Sequence, residues 1–383
     1  MLEMYSAFTE EIDEFDDAID ELLEQIDLSR LKKNSAGLIN CHYDFIDSGA
    51  AVAIAKRLPF DVIGMTTMSS GTNGDFGMYR LALTVLTSDD VTFEAVRLPG
   101  VTEDNYEEVI RKGYTKVRDT LEEDPKFIIS YVPYLANLSA AEAVYALDDA
   151  VNGVPIFGSV TIGEDMKYSD CRTILNDEVD RDAIVMLLIS GEVEPKFIVT
   201  SIPERNIREN RAIITDAEGC VMKTLNDVPV IDYMADLGII LKQEDATTTP
   251  FMVYHDEGSE PVALGIFTVN EDGSAILGGR APKGAKVAIG RIDQVGIVDT
   301  ANETIDKIRN SGTLNGLLMH PCVTRFIMLA PNQNDEHDTV LKRLDDSFPY
   351  MLGYSGGEIC PVMGDDGKYH NRFHNYTFSA CVF

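Results

Sequence analysis

One order of apolar and polar segments occurs three times along this chain. In the first copy an apolar run, Gly37 to Tyr43, predicts a strand, and Ser48 to Leu58 has helical periodicity. Pro59-Phe60-Asp61-Val62-Ile63-Gly64 then predicts a second strand ending in glycine. A hydroxyl-rich turn with Thr66, Thr67, Ser69 and Ser70 leads to a closing strand, Met78 to Leu86. The second copy places its strand at Lys126 to Tyr131, its helix at Ser139 to Val151, Pro155-Ile156-Phe157-Gly158 before a turn with Ser159, Thr161 and Gly163, and a closing strand at Ala183 to Ser190. The third reads Arg325 to Leu329 as strand, Glu336 to Asp346 as helix, Pro349 to Gly353, the turn Tyr354-Ser355-Gly356-Gly357-Glu358, and a last strand from Asn375 to Phe383. Gly64 and Gly158 stand 94 residues apart, Gly158 and Gly353 195. The double interval suggests a vacant slot near 255–265, read as a degenerate fourth unit. The pattern predicts a mixed α/β protein: layered sheets flanked by helices, built from duplicated β-α-β-β units.

Residues 1–31 carry a different period. Phe8, Ile12, Phe15, Ile19, Leu22 and Ile26 alternate spacings of 4 and 3, which predicts one amphipathic, acidic helix filling a leading segment, 1–34. It either docks on the body of the protein or serves as a contact for a partner or a second copy. The rest divides at about residue 205 into halves 35–205 and 206–383.

Gly after each second strand admits close approach of another chain segment. The small hydroxyl residues that follow cannot fill a core but can present Oγ and N–H groups to a ligand. Three such corners in matched positions either gather around a shared hollow or are plain sharp turns.

Charge removes several function classes. The 383 residues carry a formal net charge of −32, a field that repels phosphate backbones and anionic lipid headgroups, so neither nucleic acid nor membrane is expected as a partner. Six scattered cysteines without a Cys-x-x-Cys pair are no disulfide framework, the start has no signal-peptide pattern, and no apolar run is long enough to span a bilayer. These features predict a cytoplasmic protein. Neither a phosphate loop nor a hydrolase or zincin signature is present, and no cofactor is implied.

The third copy carries the most specific pattern: Cys322-Val323-Thr324-Arg325, then Gly353-Tyr354-Ser355-Gly356-Gly357-Glu358-Ile359-Cys360-Pro361, then Phe373-His374-Asn375-Tyr376-Thr377. In this order the segments resemble the C-terminal signature of the FIST family. Gly64-Met65-Thr66-Thr67 and Pro155-Ile156-Phe157-Gly158 are similar to its N-terminal half, although the first turn lacks the matching Glu. Asn226-Asp227-Val228-Pro229 resembles the opening of the C-terminal half, with Asp227 in place of a usual Gly. The resemblance covers residues 37–383. It implies an input domain of signal transduction that binds a small ligand such as an amino acid or related carboxylate, and it leaves residues 1–31 as the contact for a separate signalling partner.

On that reading Arg325 clamps a ligand carboxylate and Glu358 accepts its amine, with Tyr354, Ser355, Gly356, Gly357, Asn375, Thr66, Thr67 and Thr161 completing the site. The structural alternative pairs Arg325 with Glu358 or Asp345. Two other functions stay open. One is an enzyme acting on a small carbonyl or amine through Cys322, Arg325 and Glu358, the thiol activated by the guanidinium. The other is an oligomeric scaffold. His370 and His374, with Cys360 and Glu358, form a weak zinc alternative set against a simple loop entering a strand.

Overall fold

The computed structural model describes residues 1–383 apart from 73, 165–168, 242–247, 256–260, 313 and 345–347. Its strands and helices follow one plan three times. Unit 1 runs edge strand Glu3–Thr9, helix Phe15–Gln25, first strand Asn34–Cys41, helix Ala50–Arg57, second strand Val62–Thr66, a hairpin of Ser69–Thr72 and Asp75–Gly77, and closing strand Leu81–Ser88. Unit 2 repeats it as Val91–Leu98, Tyr106–Arg118, Phe127–Val132, Ala140–Val151, Ile156–Val160, the hairpin Thr173–Leu175 with Glu178–Asp180, and Ile184–Gly191. Unit 3 begins with Lys196–Thr200. After an insertion it continues as helix Gln294–Arg309, first strand Leu317–Pro321, helices Val323–Met328 and Asp335–Leu344, second strand Tyr350–Tyr354, the hairpin Glu358–Met363 with Tyr369–His374, and Phe378–Val382.

Within each unit the first strand lies parallel to the second and antiparallel to the closing strand, which also pairs with the edge strand. The crossover helix satisfies the requirement for a long connection between parallel strands. The hairpins leave home. That of unit 1 pairs with the second strand of unit 3, that of unit 2 with unit 1, and that of unit 3 with unit 2. The sheet edge left by each second strand is thus covered by a neighbour's hairpin, and no unit completes its sheet alone.

The three sheets form a prism about a pseudo-threefold axis. Their outer faces bury helices in separate apolar layers, and their inner faces meet in one axial core. Strand alternation sorts the residues. Leu38, Ile129 and Leu318 point to the axis, whereas Ile39, Ile128 and Met319 point to the helices. One layer up, the axial row changes character: Asn40, Tyr131 and His320 take the inward positions, beside Thr173, Ser159, Glu358, Ser379 and Ser70, all buried.

Three expectations are corrected. The N-terminal helix is confined to Phe15–Gln25, and residues 3–9 are a strand paired with Leu81–Ser88. Phe8 and Ile12 belong to the heptad pattern but not to the helix, because the open edge of the sheet outcompetes local helical periodicity. The helix docks Ala18, Ile19 and Leu22 against this protein's own body. Secondly, Arg325 to Leu329 is not the opening strand of unit 3. Leu317–Pro321 is, while Val323–Met328 is helical and the following helix is Asp335–Leu344; residues 345 and 346 lie outside the described ones. Thirdly, the vacant slot shows no fourth unit among the described residues; 256–260 lie outside them. Residues 207–290 contain an inserted sheet whose strand pairs, among the described residues, are all antiparallel, including those of Ile207–Glu218, Phe251–Tyr254 and Lys286–Gly290. A β-α-β unit needs a parallel pair joined through a helix, and no two strands pair in parallel among the described residues of the insertion, although a short helix, Val230–Asp236, precedes Phe251–Tyr254.

Candidate functional site

The three corners meet. The amide of Met68 donates to the carbonyl of Tyr354 (3.1 Å), that of Ile162 to Thr66 (3.2 Å), and that of Gly356 to Val160 (2.9 Å), which closes a ring of backbone hydrogen bonds around the axis. Thr67, Thr161 and Ser355 hold equivalent places in this ring, their amides bonded to Cys41, Val132 and Pro321 at the ends of the first strands. All three are buried. This register also shows that Gly64 and Gly158 are equivalent while Gly353 stands one residue later. Close approach explains them: a Cβ on Gly158 would lie 1.8 Å from the Ser130 carbonyl oxygen, and one on Gly353 2.5 Å from Asn40 Nδ2. Thr66 is engaged as well, its Oγ1 accepting from the Arg172 amide (3.0 Å).

Glu358 follows the third corner and faces Ser159 across the strand pair. Its Oε1 accepts from Ser355 Oγ (3.3 Å) and its Oε2 from Thr377 Oγ1. Burial pushes this carboxyl well above its usual range, although the Thr377 hydroxyl and the more distant Arg325 oppose the shift. Burial, with Glu358 nearby, also raises Cys322 to about 12. That thiol is protonated at neutral pH, so it lacks the depressed pKa of an activated nucleophile.

Arg325 does not pair with Glu358. It is sealed at 0% exposure against Glu336, also at 0%, with Nε to Oε1 at 2.9 Å. Its Nη1 donates to the carbonyls of Tyr376 (3.0 Å) and Ser201 (3.3 Å), and its Nη2 to the Ile297 carbonyl (3.0 Å) and Thr300 Oγ1 (2.9 Å). Every guanidinium N–H is occupied. Tyr354 completes the cluster by donating its hydroxyl to Glu336 Oε2 (2.8 Å). Glu336 was hidden in the sequence because it looked like one more acid in a helix's first turn. Asp345, the other partner considered, lies outside the described residues.

The last signature segment joins the prism to the inserted sheet. The Asn375 amide donates to the Ala263 carbonyl (3.0 Å), and its Oδ1 accepts from the Gly265 amide (3.0 Å). Gly357, at φ +131°, offers its carbonyl to Ser159 Oγ and the Val160 amide. His374 Nε2 lies 3.1 Å from the Cys360 carbonyl and so carries the ring proton, which leaves Nδ1 as an acceptor with no partner among the described residues. Burial lowers this imidazole to about 4. His370 pairs with Asp366 (3.2 Å). Both histidines lie on the strand Tyr369–His374, where four residues separate them by roughly 13 Å, too far to share a metal. Among the described residues no three metal-ligating side chains come together.

A cleft of about 340 Å³ opens where the inserted sheet meets the prism, lined among others by Ser201, Glu204, Tyr254, Glu303, Lys307 and His374. It shares Ser201 with the Arg325 cluster, and Lys307 Nζ stands 2.9 Å from Glu303 on its rim. A larger groove of about 960 Å³, between Lys32 and Asn176 where units 1 and 2 meet, is shallow and touches none of the signature segments. No helix among the described residues is long and apolar enough to cross a membrane.

A search of curated proteins finds no match for this sequence. Family profiles do match: the FIST N domain over residues 36–228 and the FIST C domain over residues 232–361. The first boundary falls after the edge strand and helix of unit 1, and the junction of the two falls inside the insertion. Together these matches span most of the chain, which therefore belongs to the FIST family of sensory, signal-transduction domains.

Proposed function

We propose that this protein is a cytoplasmic sensor that takes up a small zwitterion or carboxylate, such as an amino acid, in the cleft between the prism and the inserted sheet. The observation that carries the reading is His374, which lines a hollow of about 340 Å³ and whose buried Nδ1 has no hydrogen-bond partner among the described residues; the hollow's size is within the ordinary range for small-ligand sites. Lys307 takes the ligand carboxylate, Glu303 or Glu204 its ammonium, and His374 Nδ1 accepts one further hydrogen bond. Arg325, Glu336 and Glu358 hold the wall in place from behind. Because the cleft lies between two bodies joined at Asn375, a ligand that touches both favours one relative setting of the inserted sheet, and that shift is the signal. Free cysteines, five of the six buried, suit a reducing compartment. The acidic outer face of helix Phe15–Gln25 is the proposed contact for a separate output protein.

The test is a thermal-shift and calorimetry panel of amino acids and small carboxylates on the full chain. One chemical class should raise the melting temperature and be recovered unchanged, and Lys307→Met should weaken it at least tenfold. Absence of any shift across the panel, or binding that survives Lys307→Met intact, rejects the assignment. Consumption of the ligand would favour an enzyme instead.

A further inference from the structure

The polar layer on the axis contains groups that no described neighbour satisfies. Asn40 Oδ1 and Nδ2, Tyr131 Oη, His320 Nε2 and Thr67 Oγ1 have no hydrogen-bond partner among the described residues. Asn40, Tyr131 and His320 are wholly buried, and Thr67 is 1% exposed. The first three stand at equivalent places, one residue before the end of each unit's first strand, so each unit aims one polar side chain at the axis.

Contacts bring the groups together around Gly353. The position of its missing Cβ is 2.5 Å from Asn40 Nδ2 and 3.2 Å from Thr67 Cγ2. Its carbonyl lies 3.4 Å from His320 Nδ1, and the Tyr131 ring meets His320 edge-on with centroids 6.0 Å apart. A buried polar atom gives up its bonds to water on folding, and a protein that strands five of them in one place loses stability with each. The apolar rows directly below, at Leu38, Ile129 and Leu318, show that the same strands fill the axis with hydrocarbon elsewhere.

The donor and acceptor pattern specifies what completes the layer. His320 Nδ1 faces a carbonyl and carries the ring proton, which leaves Nε2 as an acceptor, and burial keeps the ring neutral by lowering it to about 4. Asn40 offers one acceptor and two donors; the hydroxyls of Tyr131 and Thr67 serve either way. None of these five atoms is charged, so they supply no counter-charge to a guest, and a neutral molecule that both donates and accepts fits them. We propose that the axis is an internal hydration site, holding water molecules trapped between the three units and bonded to Asn40, Tyr131, His320 and Thr67. These waters tie together strands that have no covalent proximity. They are independent of the ligand cleft.

Oxygen-17 relaxation dispersion on the full chain counts waters that stay bound longer than molecular tumbling. Asn40→Leu with Tyr131→Phe should lower the dispersion amplitude by at least one water while the circular dichroism spectrum is kept. An unchanged amplitude in the folded variant overturns the proposal. If the double variant does not fold, Tyr131→Phe alone, which removes a single oxygen, is read in the same way. A high-resolution crystal structure gives a second readout. Water-sized density within reach of His320 Nε2 and Asn40 supports the site, and a dry axis or density for a larger molecule overturns it.

Discussion

Unit 3 contains two cation–carboxylate pairs that look alike on paper and do opposite work. Arg325 with Glu336 is sealed at 0% exposure on both sides, and every donor of the guanidinium is committed. Lys307 with Glu303, one helix away, is 42% and 50% exposed on the rim of the cleft. A sealed pair has no group left to offer and is costly to break, because removing one partner strands the other charge in a medium that cannot solvate it. A rim pair is worth little to stability and exchanges its partner for a ligand at small cost. Burial, not residue type, separates the scaffold from the proposed site.

The contrast can be broken most forcefully at Arg325. Arg325→Met should lower unfolding free energy by about 3–5 kcal/mol in a denaturant titration, and a loss below about 1 kcal/mol would mean that the cluster is not the keystone described. Buried histidines give the next largest effect. His320 and His374 are held at about 4, below the 6.5 of an unfolded histidine. Each therefore adds stability that is complete above pH 6.5 and is lost as pH falls toward 4, on the order of 1–3 kcal/mol apiece. Glu358, shifted upward, has the opposite sign: its contribution is present at low pH and fades as pH rises through its folded-state value. Melting curves from pH 7 to 4 should show the histidine loss, and His374→Gln should flatten it.

Asn375→Ala should cost about 1–2 kcal/mol. Its signature is local: hydrogen exchange should rise around Ala263 and Gly265 in the inserted sheet, ahead of the prism. The smallest effect belongs to the rim. Lys307→Met should change ligand-free stability by less than about 0.5 kcal/mol while lowering ligand affinity at least tenfold. A large stability loss there would move Lys307 into the scaffold class.

Much of this was legible in the sequence, for reasons that can be assigned. The three turns announced themselves through Gly and hydroxyl residues because crowding around the corners leaves little room for larger side chains, as Gly158 against the Ser130 carbonyl and Gly353 against Asn40 show. Their cyclic exchange of hairpins was not legible, since pairing between units leaves no periodicity in any one of them. The strand Leu317–Pro321 was missed because Arg325 to Leu329 is just as apolar and of the same length. Residues 3–9 were drawn into a helical pattern by Phe8 and Ile12, and only the open sheet edge decides against it. Arg325 and Glu358 were read as a ligand's carboxylate clamp and amine acceptor, because the same chemistry in a core and at a site reads alike until burial is known. A signal for the axial layer was present: Asn40, Tyr131 and His320 each break an apolar strand one residue before its end. Their kinship becomes visible only after the three strands are superposed.

The most direct test of the account is hydrogen exchange on the full chain with and without the amino acid or carboxylate that most raises its melting temperature. The account predicts new protection confined to the junction, at residues 200–207, 251–254, 303–307 and 374. Protection at the Lys32–Asn176 groove instead, with the junction unchanged, would contradict it.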